Sequence, residues 1–237
     1  MMNVLAYLPL ILEGLWITLF VTVCGSALAL VIAFILGIAR VARSRWLRVP
    51  GAVLVEVFRG TSLLVLMFWL FFALPFLGVE LPPLVAGILA LGLNGGAYAA
   101  EIVRSTIRTR PRGQSEASLA LGLSPLVTLW RILIPQSIPA MLPAFGNVLV
   151  DLLKASSLVS LVTITDLTFR AQVVRAATGE TTIIFGVVLV LYFAIALLCG
   201  WLIRFLERRF DITRPVGPGS LIFRSRRALD AREKAAA

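Results

Sequence analysis

Uncharged, predominantly apolar stretches recur along the chain at 14–39, 60–79, 81–100, 132–150 and 181–203. Each approaches the ~20 residues that a helix needs to cross a hydrocarbon layer of roughly 30 Å. The pattern predicts an all-α, polytopic membrane protein with five transmembrane helices. The second and third stretches meet at "LGVELPP", where Gly78, Pro82 and Pro83 around Glu80 predict a tight turn between antiparallel helices. From Ile132 to Thr165 the apolar character runs for 34 residues, charged at Asp151 and Lys154. That is too long for one ordinary span, so a break is expected, with a re-entrant or interfacial piece beginning near "DLLKASS". Pro135, Pro139 and Pro143, four apart, share one face of the preceding helix and should weaken it.

Composition agrees: 59% of residues are hydrophobic and 14% charged, outside the range of soluble globular chains. The net charge of +10 raises nucleic acid as a partner, but the Arg residues flank apolar spans and do not cluster on a soluble face, which argues against it. They specify orientation. Arg40, Arg43, Arg45, Arg48 and Arg59 fall in the first connection, Arg104, Arg108, Arg110, Arg112 and Arg131 in the third, and Arg204, Arg208 and Arg209 open the C-terminal tail. These regions are expected to be cytoplasmic, with the N-terminus outside. Residues 1–210 then form a transmembrane domain, and 211–237, rich in Pro, Gly and charge, a mobile cytoplasmic tail. The N-terminal "MMNVLAYLPLILEGL" lacks a basic leader region and is expected to be retained. There is no His, and Cys24 and Cys199 lie within apolar stretches, so neither a metal site nor a disulfide framework is expected. No cluster of catalytic groups is visible, which argues against a membrane enzyme.

One segment does not fit the membrane pattern. In "EASLALGLSPLVTLWRILIPQ", residues 116–136, Gly122 follows a possible short helix over 114–121, and Ser124-Pro125 is a cap and first-turn pair for a second. The result is a helix-turn-helix, expected on the cytoplasmic side. Leu126, Leu129, Trp130 and Leu133 recur at helical spacing, a stripe suited either to lipid headgroups or to a docking partner.

The same segment resembles the EAA loop of bacterial ATP-binding cassette importer permeases: Glu-Ala-Ala, three residues, Gly, nine residues, then Ile-x-Leu-Pro. Glu116, Ala117, Gly122, Ile132 and Pro135 match in place, with Ser118 and Ile134 as departures. "FRGTSLLVLMFWLFF", "AYAAEIVRSTI" and "LLKASSLVSLVTITDL" look like successive segments of the polar amino-acid subfamily, and the run from Val55 to Asn94 is especially similar to ectoine and hydroxyectoine permeases. The resemblance implies a type I importer permease in the bacterial cytoplasmic (inner) membrane, with the loop, about 113–135, docked on a cytoplasmic ATPase. It also implies a second permease, identical or homologous, and an extracytoplasmic binding protein that delivers ectoine or a polar amino acid. ATP and magnesium would bind the partner ATPase; this chain has no Gly-x-x-x-x-Gly-Lys-Ser/Thr phosphate loop and is expected to hold no cofactor.

Candidates for the solute path are Asp151, Lys154, Ser156 and Ser157, because charged side chains within a membrane usually face a bundle interior or a watery cavity. Asp151 and Lys154 can equally neutralise each other one turn apart. Asn94, beside Gly92, Gly95 and Gly96, is a path candidate or a polar tie between close helices. Glu101 is expected to pair with Arg104. The rival functional class is a solute or ion channel that conducts without an ATPase.

Overall fold

The computed structural model describes residues 7–210, and every regular element among them is helical. The expected tail, 211–237, lies outside the described residues. The first span, α1 (Leu8–Val41), is 34 residues long, or about 51 Å at ~1.5 Å per residue. It packs along α4 (Pro83–Arg108), the most enclosed helix, whose Ala86, Ala90, Leu91, Ala97, Ala100 and Val103 are fully buried. Small residues make that approach possible. A Cβ on Gly92 would stand 2.5 Å from Leu28, and one on Gly96 2.8 Å from Ile32, so the absence of side chains there sets the α1–α4 spacing.

The first connection is not a loop. After Ser44 the chain forms α2 (Arg45–Gly60), which buries Gly51 and Val55 against α1 and α4. It breaks at Thr61-Ser62 and resumes, bent by 100°, as α3 (Leu63–Phe68), a π turn (Trp69–Ala73) and a 3-10 turn (Leu74–Leu77). The expected span 60–79 is therefore the outer limb of a bent pair. Among the described residues four helices are long and apolar enough to cross a membrane, and five spans result when the bent pair counts as one. Arg59 is also displaced from its expected loop: it sits in the last turn of α2, against the middle of α4. The tight turn at 78–83 forms as expected, with Gly78 at φ +82°.

The fourth span begins in α6 (Pro125–Thr128) and continues through a π turn (Leu129–Leu133) into α7 (Ile134–Ala155) and a 3-10 extension (Ser156–Val162). It is one helical rod of 38 residues. The α-helix ends at Ala155, within the Asp151–Ser157 stretch where a break is expected, but the chain continues as the 3-10 extension and the helical run stops only at Thr163, a non-glycine residue at φ +64°. Asp151 and Lys154 do not interrupt the helix because each lies one turn from its counterion, 3.7 Å apart. The prolines are accommodated at the other end. Pro135, Pro139 and Pro143 withhold donors from the carbonyls of Arg131, Pro135 and Pro139, and the wider π turn sits where the first ring must fit. The connection 166–180 is also helical, as α8 (Leu167–Thr178), before the last span, α9 (Thr181–Phe210).

Candidate functional site

The elbow outside the spans is built by backbone chemistry. Its first helix, α5 (Arg112–Ala120), ends when Gly122 adopts φ +71°, letting the Leu123 N–H reach the Ser118 carbonyl (3.0 Å) and the Gly122 N–H reach that of Leu119 (2.9 Å). The Ser124 hydroxyl then accepts from the Val127 N–H (3.4 Å), with Pro125 in the first turn of α6. Two long-range bonds brace the elbow's roots: an Arg110 Nη–H donates to the Gln136 carbonyl (3.2 Å), and Gln136 donates to the side-chain oxygen of Gln114 (3.4 Å).

Glu116, Ala117, Gly122 and Pro135 are exposed, Ile132 is half-buried, and Ser118 turns inward, its hydroxyl donating to the Gln114 carbonyl (2.7 Å). The stripe expected on the second helix divides. Leu129 and Leu133 pack on the cluster of Ile134 and Met141, whereas Leu126 and Trp130 remain 70% and 56% exposed. The π turn at Leu129–Leu133 changes the register between these two pairs. Together with Leu119 and Leu121, the exposed pair gives the elbow an apolar surface at the Arg-rich end of the bundle. Its second helix is the base of the fourth span itself, a continuity not anticipated from sequence.

The membrane-embedded candidates separate into two places. Asp151 and Lys154 are largely exposed on α7, beside Leu152, which packs against Gly95 at the centre of α4. Ser156 and Ser157 extend the same stretch, but their hydroxyls donate back to the carbonyls of Leu153 (2.7 Å) and Lys154 (2.9 Å). Asn94 instead donates its amide to the carbonyls of Phe58 (3.0 Å) and Thr61 (3.4 Å), two acceptors freed by the α2–α3 break. This is the polar-tie arrangement.

Glu101 does more than pair with Arg104. Its carboxylate also accepts from Arg40 Nη1 (2.6 Å), and Arg40 in turn lies 3.7 Å from Glu56, so one cluster joins α1, α2 and α4. Arg40 and Glu101 are 61 positions apart, and no short-range spacing could have paired them.

At the opposite end, in the connection between the fourth and fifth spans, Asp166 caps α8 by accepting from the Phe169 N–H (2.9 Å). Its neighbour Leu167 donates its N–H to the Thr18 hydroxyl (3.0 Å), and Tyr192 approaches the second carboxylate oxygen (3.5 Å). Burial pushes the Asp166 carboxyl up from 3.8 to about 6, against the opposing effect of its hydrogen bonds from Phe169, Thr168 and Tyr192. The raised value means that the folded protein keeps a proton which the unfolded chain has already released. The resulting stabilisation is complete below the ordinary value and is lost as pH rises through about 6. Asp166→Asn keeps a capping acceptor without the ionisation. Its unfolding temperature in detergent is expected to vary less between about pH 4 and 6 than that of the parent, which loses at most about 3 kcal/mol over this range. Equal pH dependence in the two proteins would contradict the assignment.

The family model described as "Binding-protein-dependent transport system inner membrane component" matches residues 29–212. A probable amino-acid ABC transporter permease of Sinorhizobium fredii is 42% identical over 207 residues, spanning 85% of this chain and 87% of that protein. The glutamine transport system permease of Escherichia coli is 35% identical, spanning 86% and 94%. Among solved structures, an amino acid ABC transporter crystallised with histidines superposes with a TM-score of 0.80 at 31% identity, over 86% of this chain and 96% of that one. The resemblance to ectoine permeases finds no support among these relatives. With its helical spans and without a strand among the described residues, the chain belongs to the inner-membrane components of binding-protein-dependent transport systems, as a permease subunit of an amino-acid ABC importer.

Proposed function

We propose that this chain forms one half of the translocation path of an ATP-driven importer for polar amino acids, and that its α5–α6 elbow docks in the cytoplasm on the importer's ATPase. The observation that carries this reading is the elbow itself: its exposed Leu119, Leu121, Leu126 and Trp130 cap a helix continuous with a membrane span. A push on that surface passes to the span along continuous helix, through the π turn at Leu129–Leu133 and the proline-bearing start of α7. The Arg residues at the same end support a cytoplasmic elbow and an outside N-terminus.

A second permease, identical or homologous, completes the path. Asp151 and Lys154 stand exposed in the single chain beside Leu152, which packs on Gly95 of α4, and charges within a span need a water-filled cavity that one bundle does not enclose. Closure of the ATPases around ATP and magnesium would draw two elbows together and rock the paired bundles between inward-facing and outward-facing states, with solute supplied by an extracytoplasmic binding protein. Hydrolysis takes place on the partner, and this chain supplies the conduit.

Relatives that carry glutamine favour an amino acid over ectoine as cargo. The test is uptake into proteoliposomes holding the permease, its ATPase and its binding protein, with glutamine, other polar amino acids, ectoine and a sugar in turn. Accumulation of a polar amino acid that stops without ATP is expected. Accumulation of ectoine or sugar alone would overturn the solute assignment, and passive flux without the ATPase would establish the channel instead.

A further inference from the structure

We infer that Arg59, held over Tyr98 at the α2–α3 break, is the cationic contact for the solute's carboxylate. This assignment rests on the amino-acid importer reading and names a binding group within it. Asn94 and Tyr98 touch the break from the apolar 81–100 stretch of α4, about 10 Å and about 5 Å respectively along the axis from Glu101 at ~1.5 Å per residue, so the break lies within the span toward its Glu101 end. The Arg59 guanidinium carbon is 5.3 Å from the centre of the Tyr98 ring, and the Tyr98 hydroxyl donates to the Arg59 carbonyl (3.4 Å). One aromatic residue thus braces both the backbone and the charged head of Arg59.

What the site lacks is an anion. The nearest acid on the same helix, Glu56, is directed to Arg40, and no carboxylate among the described residues lies within 4.0 Å of Arg59. Its Nε is buried without a hydrogen-bond partner, while Tyr98 remains 46% exposed and the residue as a whole half-buried. An unpaired guanidinium in a membrane span is costly and calls for a counterion. Its planar fork suits a carboxylate, which every amino acid carries whatever its side chain. Such a contact would serve cargo in general and leave selection among amino acids to other groups.

The experiment uses the complete transporter, with ATPase and binding protein, in proteoliposomes, carrying Cys24→Ala and Cys199→Ala in this permease. Adding Arg59→Cys is expected to lower amino-acid uptake at least about tenfold, the scale of one lost charge-assisted hydrogen bond, while ATP hydrolysis stimulated by loaded binding protein persists. Ethylammonium methanethiosulfonate, which restores a positive charge at the thiol, should recover uptake; the sulfonatoethyl reagent, which adds a negative one, should not. Arg59→Lys should retain more uptake than Arg59→Cys. Unchanged uptake in Arg59→Cys, a thiol that reacts with neither reagent, or equal recovery by both would overturn the inference. A structural arginine would instead lose assembly and stimulated hydrolysis together with uptake. Should the parent transporter accumulate no amino acid, the importer reading fails first, and this assignment with it.

Discussion

Gly122→Asp is expected to lower ATP-driven uptake at least about tenfold while the permease still inserts and accumulates in the membrane, because the side chain costs this chain only about 1–2 kcal/mol. That cost is conformational: Gly122 stands at φ +71°, where Asp is among the better tolerated residues. Space within the chain is not the obstacle, since a Cβ at Gly122 meets no atom within 4 Å. Under the proposed docking, what a larger, charged side chain obstructs belongs to the partner ATPase. Gly122→Ala separates the two contributions, since it carries the backbone penalty with little bulk. Its uptake should fall between those of the parent and Gly122→Asp. Normal uptake by a stably inserted Gly122→Asp protein would favour an elbow that lies on lipid headgroups and transmits nothing.

Glu101→Ala is expected to destabilise the permease by about 1–3 kcal/mol, between the scales for an exposed and a buried ion pair. Arg40, whose side chain is 11% exposed, would keep only Glu56 at 3.7 Å, and Arg104 would lose its acceptor. Glu101→Gln retains hydrogen-bonding capacity without charge and should lose less. Unfolding temperature in detergent reads both, and the expected order is parent, then Gln, then Ala. An Ala variant as stable as the parent would show that the cluster does not hold α1, α2 and α4 together.

How far the sequence reaches follows from the kind of signal each element carries. Long uncharged runs announce α1, α4 and α9, and Gly122 with Ser124-Pro125 announces the elbow, since turn and cap chemistry is local. The helix α2 is obscured by Arg45, Arg48, Glu56, Arg59 and an internal Pro50, which together resemble a basic loop. Its buried contacts at Gly51, Val55 and Phe58, spaced four and three apart, are the helical signal that survives. Length locates the end of the α-helix in the fourth span, at Ala155, but not the 3-10 extension that carries the helical run on to Val162, since a self-neutralised Asp151–Lys154 pair leaves the run unbroken. The Arg40–Glu101 contact and the position of Arg59 over Tyr98 depend on how distant helices pack, and no spacing encodes them.

Docking of the elbow on the ATPase is the central proposal, and disulfide cross-linking reads it most directly. A cysteine at Leu126, exposed on the elbow, is paired in the assembled transporter with cysteines across the ATPase surface that faces the membrane. The account predicts a cross-link whose yield changes between nucleotide-free and ATP-trapped states, and whose formation Gly122→Asp suppresses. A Leu126→Cys protein that forms no cross-link to the ATPase in either state, within a complex that still accumulates amino acid, would contradict it.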